Sequence, residues 1–183
     1  MATLTLGPGV HLRNVGIMIS DAIEFVAAVL CALSIATLGE YFIHRLMHWG
    51  ILCPEGHRWH HESNEARSFL RDFFDYGTGA AAFCWLGFLA STMSGFGWML
   101  GAFAYAALAS YSHQMQHANP DLVFWMRQPV HRLHHANKMT GHNFGILVDW
   151  WDRVFGTYRP IGRPRTRARA NYRLKQYFAI PWR

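Results

Sequence analysis

Residues 76–112 read YGTGAAAFCWLGFLASTMSGFGWMLGAFAYAALASYS, a stretch of 37 residues without a charged side chain. Since one helix needs about 20 mostly apolar residues to cross a bilayer, this stretch is long enough for two membrane-embedded segments. Ser94-Gly95, near its middle, is typical of a turn. The sequence therefore predicts two apolar helices, over residues 77–93 and 96–112, joined at that turn. The alternative is a buried hairpin in a soluble helical protein, for which the uncharged run is too long.

A second apolar region lies earlier in the chain, over residues 15–43. Three acidic residues interrupt it, and its uncharged core, residues 25–39, has only 15 residues. That core is short for a membrane span, so it needs flanking apolar residues to reach the required length. Together the two regions predict an all-α integral membrane protein with about three to four membrane-embedded helices.

The apolar regions are each followed by one copy of the same histidine pattern. Histidines three and four positions apart share one face of a helix, so each box, if helical, can direct its imidazoles at one point. Neutral imidazole is the commonest metal ligand among side chains, and ten of them predict a dinuclear metal site. Imidazole suits iron, copper, zinc and nickel alike, so the spacing does not select the metal. The two copies are His44, His48, His57, His60 and His61, and His113, His117, His131, His134 and His135.

Other polar residues near the boxes are candidates for supporting a metal site. Ligating histidines usually donate their second N–H to a carboxylate or a carbonyl. His142, Asn143 and Asp149 are the candidates in the region that follows the last box, whereas His11 stands alone and is interpreted as an ordinary histidine. Each acidic candidate could equally be a solvated or ion-paired surface charge. The further acidic candidates are Glu40, Glu62, Asp72, Asp75 and Asp152.

The charge distribution predicts which side of the membrane carries the boxes. Residues 117–183 contain twelve Lys or Arg against three Asp or Glu, which by the positive-inside rule indicates a cytoplasmic location. An even number of spans separates the two histidine copies, so both belong to one cytoplasmic, histidine-rich helical cap. The basic residues within 163–169 either contact anionic headgroups or form a solvated tail. No aromatic, groove-like pattern accompanies them, which argues against a nucleic-acid partner.

The boxes, with GHNFG at 141–145 and DWWDRVFGTY at 149–158, resemble the fatty acid hydroxylase superfamily, also called the sterol desaturase family. The order HxxxH, HxxHH, HxxxH, HxxHH, N-[FY]-G, D-x-x-F-G-T is matched over about residues 40–158, within a single domain of residues 1–183 that ends in a basic tail, 159–183. The resemblance implies a membrane-bound, non-haem di-iron enzyme that uses O2, with the ten box histidines as iron ligands. One departure is that a single apparent span precedes the first box, where many members have two.

The resemblance predicts an enzyme that hydroxylates a C–H bond of a lipid, such as a fatty acyl chain or a sterol. A lipid or sterol desaturase and a carotenoid hydroxylase would use the same site. A non-catalytic metal-binding or haem-binding membrane protein is a different class, but a transporter would place polar ligands within its spans, whereas these boxes follow the spans. The chain has no dinucleotide fingerprint and no haem-attachment or iron–sulfur cysteine spacing. Electrons are therefore expected from a separate reductase, ferredoxin or cytochrome.

Overall fold

The computed structural model describes the backbone of residues 8–162 and 174–183, and the side chains from residue 15 onward in those ranges. The basic run at 163–169 and the side chain of His11 lie outside the described residues. Helices, turns and loops account for the whole described part, which contains no strand, so the all-α prediction is confirmed there. Its α-helices are α1 (Pro8–His48), α2 (Pro54–Ser63), α3 (Phe69–Phe83), α4 (Thr92–Ala118), α5 (Val130–Ala136) and α6 (Trp150–Val154).

The first apolar region and the first histidine box form one continuous helix, α1, of 41 residues. Within the described ranges it is the one helix long and apolar enough to cross a membrane, over Val15–His48. Only 11% of its most apolar window is buried, so most side chains of that window face outward. The predicted total of three to four membrane-embedded helices stays a prediction.

The uncharged stretch folds back on itself, but not where the sequence predicts. The prediction of a turn at Ser94-Gly95 is wrong. Helix α3 is followed by a 3₁₀ helix (Cys84–Leu89), and the chain reverses direction at residues 90–91. Ser91 caps α4, because its Oγ accepts the N–H of Ser94 at 3.0 Å. Gly95 serves close packing, since a Cβ at this position would lie 2.1 Å from the ring of Phe88.

Close contact between α1 and α4 sets the direction of the bundle. A Cβ on Gly97 would lie 2.4 Å from the carbonyl oxygen of Phe25, and one on Gly101 would lie 2.5 Å from that of Val29. The two helices therefore run in parallel with their backbones in contact, as small residues allow. Glu24 of α1 also accepts a hydrogen bond from the Ser94 hydroxyl at 2.8 Å. Since α3 runs antiparallel to α4, the ends of α1 and α4 and the start of α3 meet at one end of the bundle, where α2 and α5 pack.

Candidate metal centre

Every histidine box is helical, as the spacing predicts. The first box ends α1, the second lies on α2, the third ends α4 and the fourth lies on α5. Because all four helices meet at the same end of the bundle, boxes far apart in the sequence come together in space. The rings of His48 and His134, for example, are centred 4.7 Å apart although 86 residues separate them.

The ten box histidines form two adjacent groups with one ring between them. In each group the potential ligand nitrogens all lie within 4.8 Å of one another, which is close enough for a shared metal ion. His135 lies between the groups, with its ring centred 4.1 Å from that of His61 and 4.3 Å from that of His60. The first group is His44, His48, His57, His61 and His134; the second group is His60, His113, His117 and His131.

Hydrogen bonds at Nδ1 orient five of these rings. Each Nδ1 lies within hydrogen-bond distance of an acceptor that carries no hydrogen, so this nitrogen is the donor and the ring's other nitrogen, Nε2, keeps a free lone pair. The acceptors are the carbonyls of Phe144 for His44 (2.7 Å), His142 for His134 (2.7 Å), Glu65 for His60 (2.8 Å) and Asn64 for His117 (3.2 Å), and the carboxylate of Asp72 for His113 (2.6 Å).

Two of these free lone pairs face each other in the interior of the second group. Nε2 of His60 and Nε2 of His113 are 3.1 Å apart, although both rings donate through Nδ1. In the first group, Nε2 of His134, whose ring also donates through Nδ1, lies 2.8 Å from Nε2 of His48. The lone pairs of His60 and His113 repel each other at 3.1 Å unless a cation lies between them. Several buried nitrogens also have no hydrogen-bond partner among the described residues: Nε2 of His44 and His117, and both ring nitrogens of His131 and His135. The donor set fits metal ions in both groups.

Burial lowers the pKa of five of these imidazoles. Desolvation, reinforced by neighbouring imidazoles, lowers the pKa of His57 and His117 to about 2 and that of His60 and His61 to about 4. Desolvation also lowers the pKa of His134 to about 3. At neutral pH these five rings are therefore unprotonated, the form that binds metal.

These lowered pKa values predict that the metal-free protein is destabilised by acid. A histidine in an unfolded chain has a pKa of about 6.5. Below this pH, histidines of the unfolded state bind protons, whereas the buried histidines of the folded state stay unprotonated. Stability should therefore fall as the pH is lowered from 6.5 toward 4, with a slope of up to about 1.4 kcal/mol per pH unit for each such histidine. Thermal unfolding in a chelator between pH 7.5 and 5 measures this. A His57→Gln variant should show a shallower slope, and equal slopes in the two proteins would contradict the assignment.

The carbonyls that orient the first group belong to a loop held by Asp152. The buried carboxylate of Asp152 accepts the N–H of Phe144 at 2.9 Å, the N–H of Gly145 at 2.8 Å and the hydroxyl of Thr157 at 2.7 Å. Gly145 is needed here, because a Cβ would lie 2.0 Å from the carbonyl oxygen of Val148. The D-x-x-F-G-T segment thus shapes the N-F-G turn, which in turn presents the carbonyl of Phe144 to a histidine.

Two further acidic candidates also have structural partners at this end of the bundle. Glu40 is buried and accepts the hydroxyl of Tyr105 at 2.7 Å and the backbone N–H of Ile146, which ties the same loop to α1. Asp72 is buried as well and accepts from Nδ1 of His113 and from the amide of Gln114, both at 2.6 Å.

Of the candidates that follow the last box, His142 reaches the histidine cluster through its carbonyl oxygen. Asn143 adopts a positive φ of 62°. Its side-chain nitrogen donates to the carbonyl of Arg159, and its side-chain oxygen accepts the N–H of the same residue, so Asn143 shapes the loop. Asp149 pairs with Arg153 at 2.6 Å, and Asp75 pairs with Arg71 at 3.5 Å.

Gln116 is a supporting residue that the sequence reasoning missed. Its side-chain oxygen accepts the N–H of His131 at 2.9 Å, and its side-chain nitrogen donates to the carbonyl of Ile146 at 2.6 Å. It therefore links the end of α4 to the start of α5 and to the loop. Two glutamines inside the third box, after 37 uncharged residues, were the available signal.

A comparison with protein families identifies the family to which this chain belongs. The family model for fatty acid hydroxylases matches residues 29–157, most of the chain. The chain belongs to the fatty acid hydroxylase family. The match begins inside α1 and ends at Thr157, so it covers all four boxes and the loop held by Asp152. The family is membrane-bound and known for iron use, which fits the two histidine groups and, in the described part of the chain, one helix long and apolar enough to cross a membrane. Neither the curated proteins nor the solved structures gave a match.

In this member of the fatty acid hydroxylase family, an open cavity of about 520 Å³ borders the first histidine group only. Its histidine wall is formed by His48, His57 and His61, and no residue of the second group lines it. The first group is therefore accessible from this cavity. The other lining residues are Met47, Gly50, Pro54, Arg58, Glu62, Lys138, Met139 and Thr140.

Proposed function

We propose that this chain is an O2-dependent, non-haem di-iron hydroxylase that inserts one oxygen atom into a C–H bond of a membrane lipid, such as a fatty acyl chain or a sterol. The observation that carries the proposal is the pair of histidine groups whose ligand nitrogens lie within 4.8 Å of one another, at the end of a helix apolar enough to cross a membrane. Membership of the fatty acid hydroxylase family supports iron and lipid oxidation. The ten box histidines are the proposed ligands of two iron ions, and residues 1–183 are taken as one domain.

The protein's own residues hold and orient the site. The carbonyls of Phe144 and His142 fix two rings of the first group, and Asp72 fixes a ring of the second. Fixed rings need no rearrangement when metal binds, which favours binding and a constant geometry. When bound, two iron ions supply the activation of O2 that breaks an unactivated C–H bond.

The cavity is the proposed approach for the substrate's reacting carbon, because it reaches the first group through His48, His57 and His61. Met47, Pro54 and Met139 give it apolar walls suited to a hydrocarbon chain. The family is membrane-bound, and the basic C-terminal third supports a cytoplasmic location of the histidine end.

The reaction consumes two electrons besides those of the C–H bond. One substrate C–H, one O2, two electrons and two protons give one C–OH and one water. The electrons are proposed to come from a separate reductase, ferredoxin or cytochrome that meets the histidine end from the cytoplasm.

Product analysis tests the proposed function. Membranes with iron-loaded protein, an electron donor and ¹⁸O2 should yield a lipid product that has gained one ¹⁸O atom, whereas His44→Ala protein should yield none. A product that has lost two hydrogens without gaining oxygen would make the chain a desaturase. A Soret band in the purified protein, with no dependence on O2, would point to a haem carrier and overturn the proposal.

Filling the cavity should separate substrate binding from metal binding. Met139 lines the cavity and is partly buried, so Met139→Trp would occupy part of the space beside the first group. We expect KM for the lipid to rise about tenfold or more while iron content stays at two ions per chain. Met18→Trp, on the exposed part of α1, serves as the control and should leave both quantities unchanged. An unchanged KM in Met139→Trp would place the substrate elsewhere.

A further inference from the structure

The last described segment of the chain, residues 174–183, lies beyond the residues that the family model matches. It packs against the start of α3. The backbone carbonyl of Pro181 accepts the N–H of Phe69 at 2.7 Å, and that of Trp182 accepts the N–H of Leu70 at 3.2 Å. The rings of Phe69 and Trp182 are also in contact, with centroids 5.1 Å apart. We call residues 177–183 the C-terminal strap.

The strap completes the cap of α3. The first N–H groups of a helix have no partner within the helix and need acceptors from elsewhere. Ser68 supplies one acceptor, its Oγ, which bonds the N–H of Arg71 at 3.2 Å, while its carbonyl accepts the first intrahelical bond, from Asp72 at 3.0 Å. The strap supplies the acceptors for the N–H groups of Phe69 and Leu70. The start of α3 is therefore fixed jointly by its own N-cap residue and by a segment more than 100 positions away.

The first turn of α3 carries the carboxylate that orients the second histidine group. Asp72 accepts from Nδ1 of His113 at 2.6 Å, and Nε2 of the same ring faces His60 at 3.1 Å. A shift of the α3 start would move Asp72 and with it the ring of His113. A series of contacts therefore connects the strap to the start of α3, and Asp72 of α3 to His113, a proposed metal ligand.

The strap is also anchored on the helices that carry the other members of the second group. Ile180 is buried in an apolar cluster with Met115 of α4 and Val130 of α5. The carbonyl of Ala179 accepts from Asn119 at 2.8 Å, directly after α4. His117 precedes that anchor by two residues, and His131 follows Val130. The cluster thus ties together the ends of the chain segments that present three of the four second-group histidines.

We infer that the C-terminal strap is a positioning element for the second metal position, acting through Asp72 on His113. This inference rests on the proposed two-metal function. It assigns to residues beyond the matched family region a role in the affinity and order of metal binding. The strap makes no described contact with α1, which carries His44 and His48 of the first group.

Anaerobic titration with Co²⁺, followed by its visible absorption, tests the inference on the full-length protein and on a variant lacking residues 179–183. The full-length chain should bind two ions. In the truncated variant, the first ion should bind as before, within about twofold, whereas the affinity for the second should fall about 10- to 100-fold, the range typical of lost outer partners. Lys175→Ala, an exposed change just before the strap, is the control and should bind both ions normally.

A double-variant comparison distinguishes positioning from general loss of structure. Asp72→Ala should lower the same second affinity, and the truncation combined with Asp72→Ala should lower it no further, because the two act in series. Phe69→Pro offers a milder second test, since proline is tolerated at the first helical position but lacks the N–H that donates to Pro181. The affinity of the Phe69→Pro protein for the second Co²⁺ ion should be lower than that of the Phe69→Ala protein, which keeps the N–H.

The outcomes separate the two proposals. If the full-length protein binds fewer than two Co²⁺ ions, the dinuclear function fails. If it binds two ions and the truncated protein does so with the same affinities, the strap inference alone fails. Equal losses at both ions, or additive losses in the double variant, would also overturn it.

Discussion

Replacing His134 by alanine should reduce the iron content from two ions per chain to one and lower lipid turnover by more than about 100-fold. Nε2 of His134 lies 2.8 Å from that of His48 and 3.1 Å from that of His61, so this nitrogen is at the centre of the first group. Loss of a proposed ligand should exceed the 10- to 100-fold effects typical of the outer partners of ligands. Elemental analysis of iron-replete protein and the lipid assay measure the two quantities.

The matched control is His142→Ala. His142 contacts His134 through its backbone carbonyl at 2.7 Å, and alanine keeps that carbonyl. Iron content should stay at two, and turnover should fall by no more than a few fold. Two ions in His134→Ala protein would contradict the composition of the first group, and a large loss of iron in His142→Ala would show that its imidazole is a ligand.

The histidine centre could be predicted from the sequence because its spacing follows helical geometry. Residues at i, i+3 and i+4 share a helix face whatever the surrounding fold. His57, His60 and His61 could therefore be placed together before the path of the chain was known, and α2 confirms that the box is helical. That both copies meet at one end followed from the even number of predicted apolar segments between them.

The assignment of histidines to groups could not be predicted, because it depends on tertiary packing. His60 and His61 are neighbours in the sequence but belong to different groups, since adjacent helical residues point about 100° apart. The orienting partners were hidden for a different reason. Four of the five are backbone carbonyls, which every residue possesses, so no side-chain pattern marks them.

The misplaced turn has a similar physical cause. Glycine beside serine is typical of a turn, but it also allows close packing of helices. At Gly95 the second role applies, because the ring of Phe88 occupies the position of a Cβ. Which role a glycine serves depends on the opposing element, and the sequence of the glycine segment does not contain that information.

Replacing Asp152 by alanine should destabilise the protein by about 3–5 kcal/mol and weaken metal binding at the first group. Its carboxylate satisfies two backbone N–H groups and one hydroxyl, all of which would be left buried without a partner, at a cost of about 1–3 kcal/mol each. The loop would then no longer hold the carbonyl of Phe144 at 2.7 Å from Nδ1 of His44. Chemical unfolding in detergent and metal titration measure the two effects.

Asp149→Ala is the matched control, three residues away on the same short segment. Asp149 pairs with the partly exposed Arg153, and such surface pairs contribute about 0–1 kcal/mol. It makes no described contact with the 142–147 loop, so its loss should leave metal affinity unchanged. If the two variants were equally destabilised, the buried carboxylate would stabilise the fold no more than a surface ion pair does. If Asp152→Ala lost stability but kept full affinity at the first group, the loop would support the fold without orienting the metal ligands.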